Sequence, residues 1–94
     1  MDIRKQSNTF GQVFSKKITS EKNLMIWIPE GFAHGFKSLT DDALTYYLVS
    51  SEYNKEHDTG IRFDTIGYDW KTEHPIISER DVSFAAMQNF ESPF

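Results

Sequence analysis

Leu24-Met25-Ile26-Trp27-Ile28-Pro29-Glu30-Gly31-Phe32-Ala33-His34-Gly35-Phe36 reads as an apolar strand, a Pro/Gly turn and a return strand carrying one histidine among aromatics. Proline fixes φ and glycine accepts positive φ, so Pro29 and Gly31 end the first strand and reverse the chain. His34 opens the return strand between Ala33 and Gly35, small neighbours that let a ligand approach the backbone. Phe32, Phe36 and Trp27 would wall it, which is the pattern of a pocket and makes His34 a candidate binding residue. The same histidine also reads as a hydrogen-bonded core residue. Leu24–Ile28, apolar throughout, is expected to be covered on both faces.

Outward from this stretch the chain keeps a β-strand pattern. Asp2 to Gly11 begins with alternating character and turns through Ser7, Asn8 and Gly11, as a strand end followed by a loop. Gln12 to Ser15 is a short strand, and Thr19 to Asn23 a polar connection. Ala33 to Leu39 and Ala43 to Ser50 are strands joined by a hairpin turn at Thr40-Asp41-Asp42. In the second, Thr45, Tyr47 and Val49 share one face and Leu44, Tyr46 and Leu48 the other, with the inner face undecided. Glu52 to Gly60 is a charged loop or a single helical turn, and Ile61 to Phe63 and Pro75 to Ile77 are extended. Ser78-Glu79-Arg80-Asp81 has the S-x-x-D form of a helix start, so a short helix follows. The tail from Phe84 has no period, and its three Phe call for packing against a neighbour.

The 94 residues make a single domain, 1–94, without internal repeat. A chain of this size buries only about 60 per cent of its unfolded surface, so a partner subunit is expected. Aromatics at 15 per cent exclude disorder and suit a β-rich core. Without cysteine there is no disulfide, thiolate nucleophile or cysteine metal site. No apolar run nears the roughly 20 residues of a bilayer span, and Met1 to Lys5 leads into polar sequence, so a cytoplasmic protein without a membrane partner is expected. A net charge of -4 with scattered Lys and Arg disfavours nucleic acid.

His34, His57 and His74 lie far apart with no His-x-His pair, so a metal centre is not expected. Pro29-x-Gly31-x-x-His34 fits a motif of the cupin barrels but supplies one ligand position. Nucleophile triads, phosphate loops and dinucleotide fingerprints are absent. Acid/base groups remain: His34, Tyr47 and Asp81. Tyr47 also reads as core packing with a satisfied hydroxyl, and Asp81 as a capping acid. Arg62 could reach a phosphate or pair with Asp64 at the surface. Trp27 and Trp70 read as core and edge packing, His57 and His74 as solvent-facing.

Trp27-Ile-Pro-Glu-Gly-Phe-Ala-His-Gly-Phe36 resembles the hallmark stretch of the dTDP-4-dehydrorhamnose 3,5-epimerases, cupin-type jelly-roll enzymes of dTDP-rhamnose biosynthesis. The resemblance runs from end to end through Asp2-Ile-Arg-Lys-x-Ser7-x-Thr9-Phe-Gly11, Tyr53-x-x-Glu-His57-x-x-Gly60-Ile-Arg62, Tyr68-Asp-Trp70 and Pro75-Ile-Ile-Ser-Glu-Arg-Asp81. It implies an all-β fold, a cupin-type jelly roll present as a partial barrel with a short C-terminal helix. It also implies cofactor-free epimerisation at C3 and C5 of a 4-keto sugar nucleotide, in which a base leaves an enolate and an acid on the opposite face returns the proton. Tyr47, thirteen residues after His34, is similar to the family's catalytic tyrosine, and Asp81 to the acid that orients its base histidine. His34 is similar to the histidine beside the sugar, where neutral imidazole would stabilise the enolate, and Arg62 is a further substrate-binding candidate.

The family's general-base histidine and its diphosphate-binding residues lie in its N-terminal half, so the chain resembles the C-terminal half only. The implied function is that of a dTDP-4-dehydrorhamnose 3,5-epimerase-like protein in dTDP-rhamnose synthesis, and hence in lipopolysaccharide or other cell-surface polysaccharide, with the base coming from another chain or from His34. Its expected partners are a nucleotide sugar and either a second copy, as a homodimer with or without strand exchange, or a separate N-terminal-half chain that covers open sheet edges. The alternative is a non-catalytic sugar-nucleotide-binding or oligomerisation module.

Overall fold

In the computed structural model, which describes residues 1–94, the chain is anchored by its first five residues. The Ile3 N–H donates to the Gly31 carbonyl at 2.9 Å and the Ala33 N–H to that of Met1 at 3.0 Å, making Asp2 and Phe32 an antiparallel bridge. Asp2 also bonds along its other edge. Its N–H donates to Gln12 at 3.0 Å, and its carbonyl accepts from Gly11 at 2.8 Å. The Lys5 N–H reaches the Phe94 carbonyl at 3.1 Å and so holds the tail against the amino terminus. The four buried residues, Asp2, Ile3, Gly31 and Ser92, come from these same segments.

A second cluster joins residues 60–70 to 84–89. Ile61 and Ala85 form a parallel bridge, and the Arg62 N–H donates to the Ala85 carbonyl at 2.9 Å. The chain then tightens into a 3-10 turn, Phe63–Thr65, where the Thr65 hydroxyl donates to the Arg62 carbonyl at 2.7 Å and accepts from the Met87 N–H at 2.9 Å. Trp70 folds back, donating its indole N–H to the Phe63 carbonyl at 3.0 Å and meeting Tyr68 and Phe63 edge to face at 5.1 and 6.4 Å. Phe84 lies against Gly60, where no Cβ would fit.

The short helix forms at the expected place. It is α1, Glu79–Ser83, and the Ser78 hydroxyl accepts from the Asp81 N–H at 3.1 Å. One arm of the capping box is made. The Asp81 carboxylate turns instead to Arg80 at 3.2 Å, because a neighbouring guanidinium is a stronger partner than a single N–H.

The stretches read as strands carry no ladder. Both bridges stand alone, and the backbone makes 17 internal hydrogen bonds where a domain of this length makes about sixty. Leu24–Ile28 is not covered on both faces: Met25 is 91% and Trp27 82% exposed, while Leu24, Ile26 and Ile28 are exposed by 42–48%. That alternation has the period of a strand sheltered on one side. Trp27 is therefore a surface residue. From Ala43 to Val49, Leu44, Tyr46 and Leu48 are exposed, and so are Tyr47 and Val49 on the other face. A strand needs neighbours along its edges and a layer over a face, and the chain provides neither for these two stretches. No helix is long and apolar enough to cross a membrane.

Candidate functional site

The turn before His34 is built as its sequence requires. Gly31 sits at φ 82°, a conformation that costs any side-chain-bearing residue steric energy, and it is buried. Space matters there as well, since a Cβ on Gly31 would stand 2.5 Å from Cγ of Arg4. Residues 1–3 pair with 31–33, so the chain leaves this support at His34, whose side is open to solvent. Beyond it, Cη2 of Trp70 stands 3.8 Å from where a Cβ of Gly35 would be, and the Lys37 ammonium donates to the carbonyls of Trp70 and Lys71. His34 thus lies between the amino-terminal anchor and the Trp70 cluster.

The densest polar arrangement in the chain adjoins this turn and was not singled out as a site by its sequence. Asp2 is 2% exposed, and five donor groups are aimed at its carboxylate. Oδ1 accepts from the N–H and Nε–H of Arg4, both at 3.0 Å. Oδ2 accepts from the terminal guanidinium nitrogen of Arg4 at 2.8 Å and from the hydroxyls of Ser7 and Thr9, both at 2.6 Å. The carboxyl is held well below the usual carboxylate range, chiefly by the Arg4 side chain. Burial pushes the other way and is outweighed with the help of Ser7, Thr9 and the Arg4 N–H. The Arg4 guanidinium is raised by the same bond and lies over the Phe32 ring at 4.5 Å.

The residues singled out for chemistry are not drawn together. Tyr47 is 75% exposed and makes no hydrogen bond with His34 or Asp81. Asp81 stands on α1 beside Arg80, which also grips Asp58 through two bonds of 2.7 Å and stacks on Phe84 at 4.8 Å. Arg62 takes the surface alternative, pairing with Asp64 at 2.7 Å. Two principal grooves are present. One, of about 320 Å³, lies against Asp2, Thr9, Phe14 and Phe32; the other, of about 430 Å³, lies between Lys37 and His74. Neither collects His34, Tyr47, Asp81 or Arg62. No three His, Asp or Glu side chains converge as metal ligands.

Comparison with known proteins places this geometry in context. Residues 1–89 match the dTDP-4-dehydrorhamnose 3,5-epimerase family. Curated proteins called dTDP-4-dehydrorhamnose 3,5-epimerase are similar to it from Methanothermobacter thermautotrophicus (41% identity, covering 94% of this chain and 50% of that protein), Shigella flexneri (38%, 88% and 47%) and Mycobacterium tuberculosis (38%, 97% and 46%). The chain spans about half the length of the curated relatives it matches. No solved structure matches it.

Proposed function

The chain belongs to the dTDP-4-dehydrorhamnose 3,5-epimerase family, and from that premise we propose that it binds a dTDP-4-keto-6-deoxy sugar and contributes half of an epimerase site. The observation that carries this reading is the match over residues 1–89, which includes both the Trp27–Phe36 stretch and Tyr47. A ketone at C4 acidifies the hydrogens at C3 and C5. Removing one leaves an enolate oxygen that needs a donor, and reprotonation from the opposite face inverts the centre. In this proposal the His34 imidazole stabilises the enolate and the Tyr47 hydroxyl returns the proton. Asp81 orients a general-base histidine supplied by another chain, and Arg62 meets the diphosphate after leaving Asp64. The carbonyl provides the acidity, so the reaction calls for no redox cofactor or metal.

The working fold proposed is an all-β cupin jelly roll to which this chain gives a partial barrel. The strand-period exposure of Leu24–Ile28 and the two bridges support it. The remaining strands come from a second copy, in a homodimer, or from a chain equivalent to the family's other half. Such a protein acts in the cytoplasm, upstream of lipopolysaccharide or related surface polysaccharides.

Purified chain incubated with dTDP-4-keto-6-deoxyglucose in D2O is expected to bind it and to admit deuterium at C3 or C5 if a second copy supplies the base, and only after addition of a chain equivalent to the family's other half if that chain supplies it. Binding without exchange overturns catalysis by this chain alone. Tyr47→Phe should lower epimerised product more than proton exchange, and an equal fall in both removes the tyrosine from its role. A second reading, a sugar-nucleotide-binding or oligomerisation module without chemistry, is favoured by one observation: neither principal groove gathers His34, Tyr47 and Asp81.

A further inference from the structure

We propose that Asp2 and Arg4 are a positioning pair that fixes the Pro29–Gly31 turn and, through it, the placement of His34. The inference rests on His34 being a site residue, as read above. The contacts run without a break from the Asp2 carboxylate to Ala33, the residue before His34. The Asp2 side chain holds Arg4 in a fork of two bonds at 3.0 and 2.8 Å. Arg4, held so, lays its stem against Gly31 and its guanidinium over Phe32 at 4.5 Å. The backbone of the same segment binds Gly31 and Ala33 from Ile3 and Met1. Side chain and main chain therefore grip 31–33 together, and His34 is the next residue.

Ser7 and Thr9 complete the device. Their hydroxyls fill the remaining acceptor sites on Oδ2 and draw the 4–11 loop around the acid. A carboxylate is required at this point because three donors face one oxygen. An asparagine there presents either an amide N–H₂ to three donors or a flipped amide to the two donors on the other side. The serine and threonine hydroxyls can rotate to accept, but the guanidinium cannot.

The chain's three histidines supply the test. In ring-proton NMR of the full chain at fixed pH, Asp2→Asn and Arg4→Gln are each expected to shift the His34 resonance, leaving those of His57 and His74 in place. Both variants should also speed amide exchange at Ile3 and Ala33. Asp64→Asn, which removes a surface pair, should move none of these. If Asp2→Asn does not fold, Ser7→Ala with Thr9→Val loosens the carboxylate without removing its charge and should shift His34 in the same direction by less. An unchanged His34 signal with faster exchange at Ile3 and Ala33 overturns the proposal, because the grip then ends before the histidine. Equal movement of all three histidines also overturns it, since Asp2 would then support the whole fold rather than the turn. These signals are read without substrate, so failure of the epimerase reading and failure of the positioning pair are separate results.

Discussion

Gly31 and Gly11 have nearly the same backbone conformation, φ 82° and 79°, and different surroundings. A Cβ on Gly11 meets nothing within 4 Å, whereas one on Gly31 runs into Arg4. The strain of a left-handed residue is common to both positions, about 1–2 kcal/mol. Gly31→Ala should therefore lower the urea midpoint more than Gly11→Ala does, and the difference measures the displaced Arg4 contact. Equal losses would mean that Arg4 moves aside freely. Asp2 gives a second residue-scale expectation. Its folded pKa is depressed, so the stability it contributes is fully present above the unfolded value of about 3.9 and is lost as pH falls through the lower folded value. Wild-type protein should lose stability on acidification from about pH 4 downward, and Asp2→Asn should lose less over the same window. Urea midpoints measured on either side of that pH decide it, and parallel losses in both proteins would assign the acid sensitivity to other carboxylates.

What could be read from the sequence at the scale of elements was what is decided within a few residues. The Ser78 cap is a bond to Asp81, three positions on, and the helix it starts is present. Gly31 takes the positive φ that its place in the turn requires, and Arg62 finds Asp64 two residues away. Pairing of residues 1–3 with 31–33 spans thirty residues and depends on a turn chemistry that propensity does not encode. Asp2, Arg4, Ser7 and Thr9 were visible as a family-like motif and as a loop, but the acid's role appears only when the loop closes on it. Tyr47 and Asp81 are not brought to His34, and no local pattern encodes the long-range contacts that would bring them there. For α1, with five residues and none buried, the cap should govern local opening more than global stability. Ser78→Ala should cost the helix start about 1 kcal/mol, seen as faster exchange of the Asp81 and Val82 amides with a nearly unchanged melting temperature. Ser78→Asp, which restores an acceptor, should return the protection; slow exchange in Ser78→Ala would show that the Asp58–Arg80 pair holds the helix instead.

For the whole molecule the decisive quantity is surface. The chain exposes 8873 Å², where a monomeric protein of 10.9 kDa exposes about 5,600 Å². Its radius of gyration, 14.2 Å, exceeds the roughly 12.4 Å of a compact domain of this length. The excess of about 3,300 Å² is of the order of one side of a large obligate interface and several times that of a standard one. Much of it is apolar and lies on the two stretches that lack sheet neighbours, with Leu44, Tyr46 and Leu48 along one face of the second. Unpaired backbone groups and exposed apolar side chains together are a template for association, so the chain should self-associate or take up a partner at working concentrations. Leu48→Lys separates this from a defect of the fold. Leu48 is 81% exposed, so the substitution should leave the thermal transition of the unassembled chain nearly unchanged. In an assembly that buries it, losing the leucine removes about 1.5–3 kcal/mol per copy, which corresponds to roughly tenfold or more in dissociation constant. Sedimentation over a dilution series should accordingly show the wild type changing mass and the variant shifted towards monomer. A wild type that stays monomeric at every concentration would overturn the surface argument, and an unshifted variant would move the interface from the Ala43–Val49 face to Leu24–Ile28.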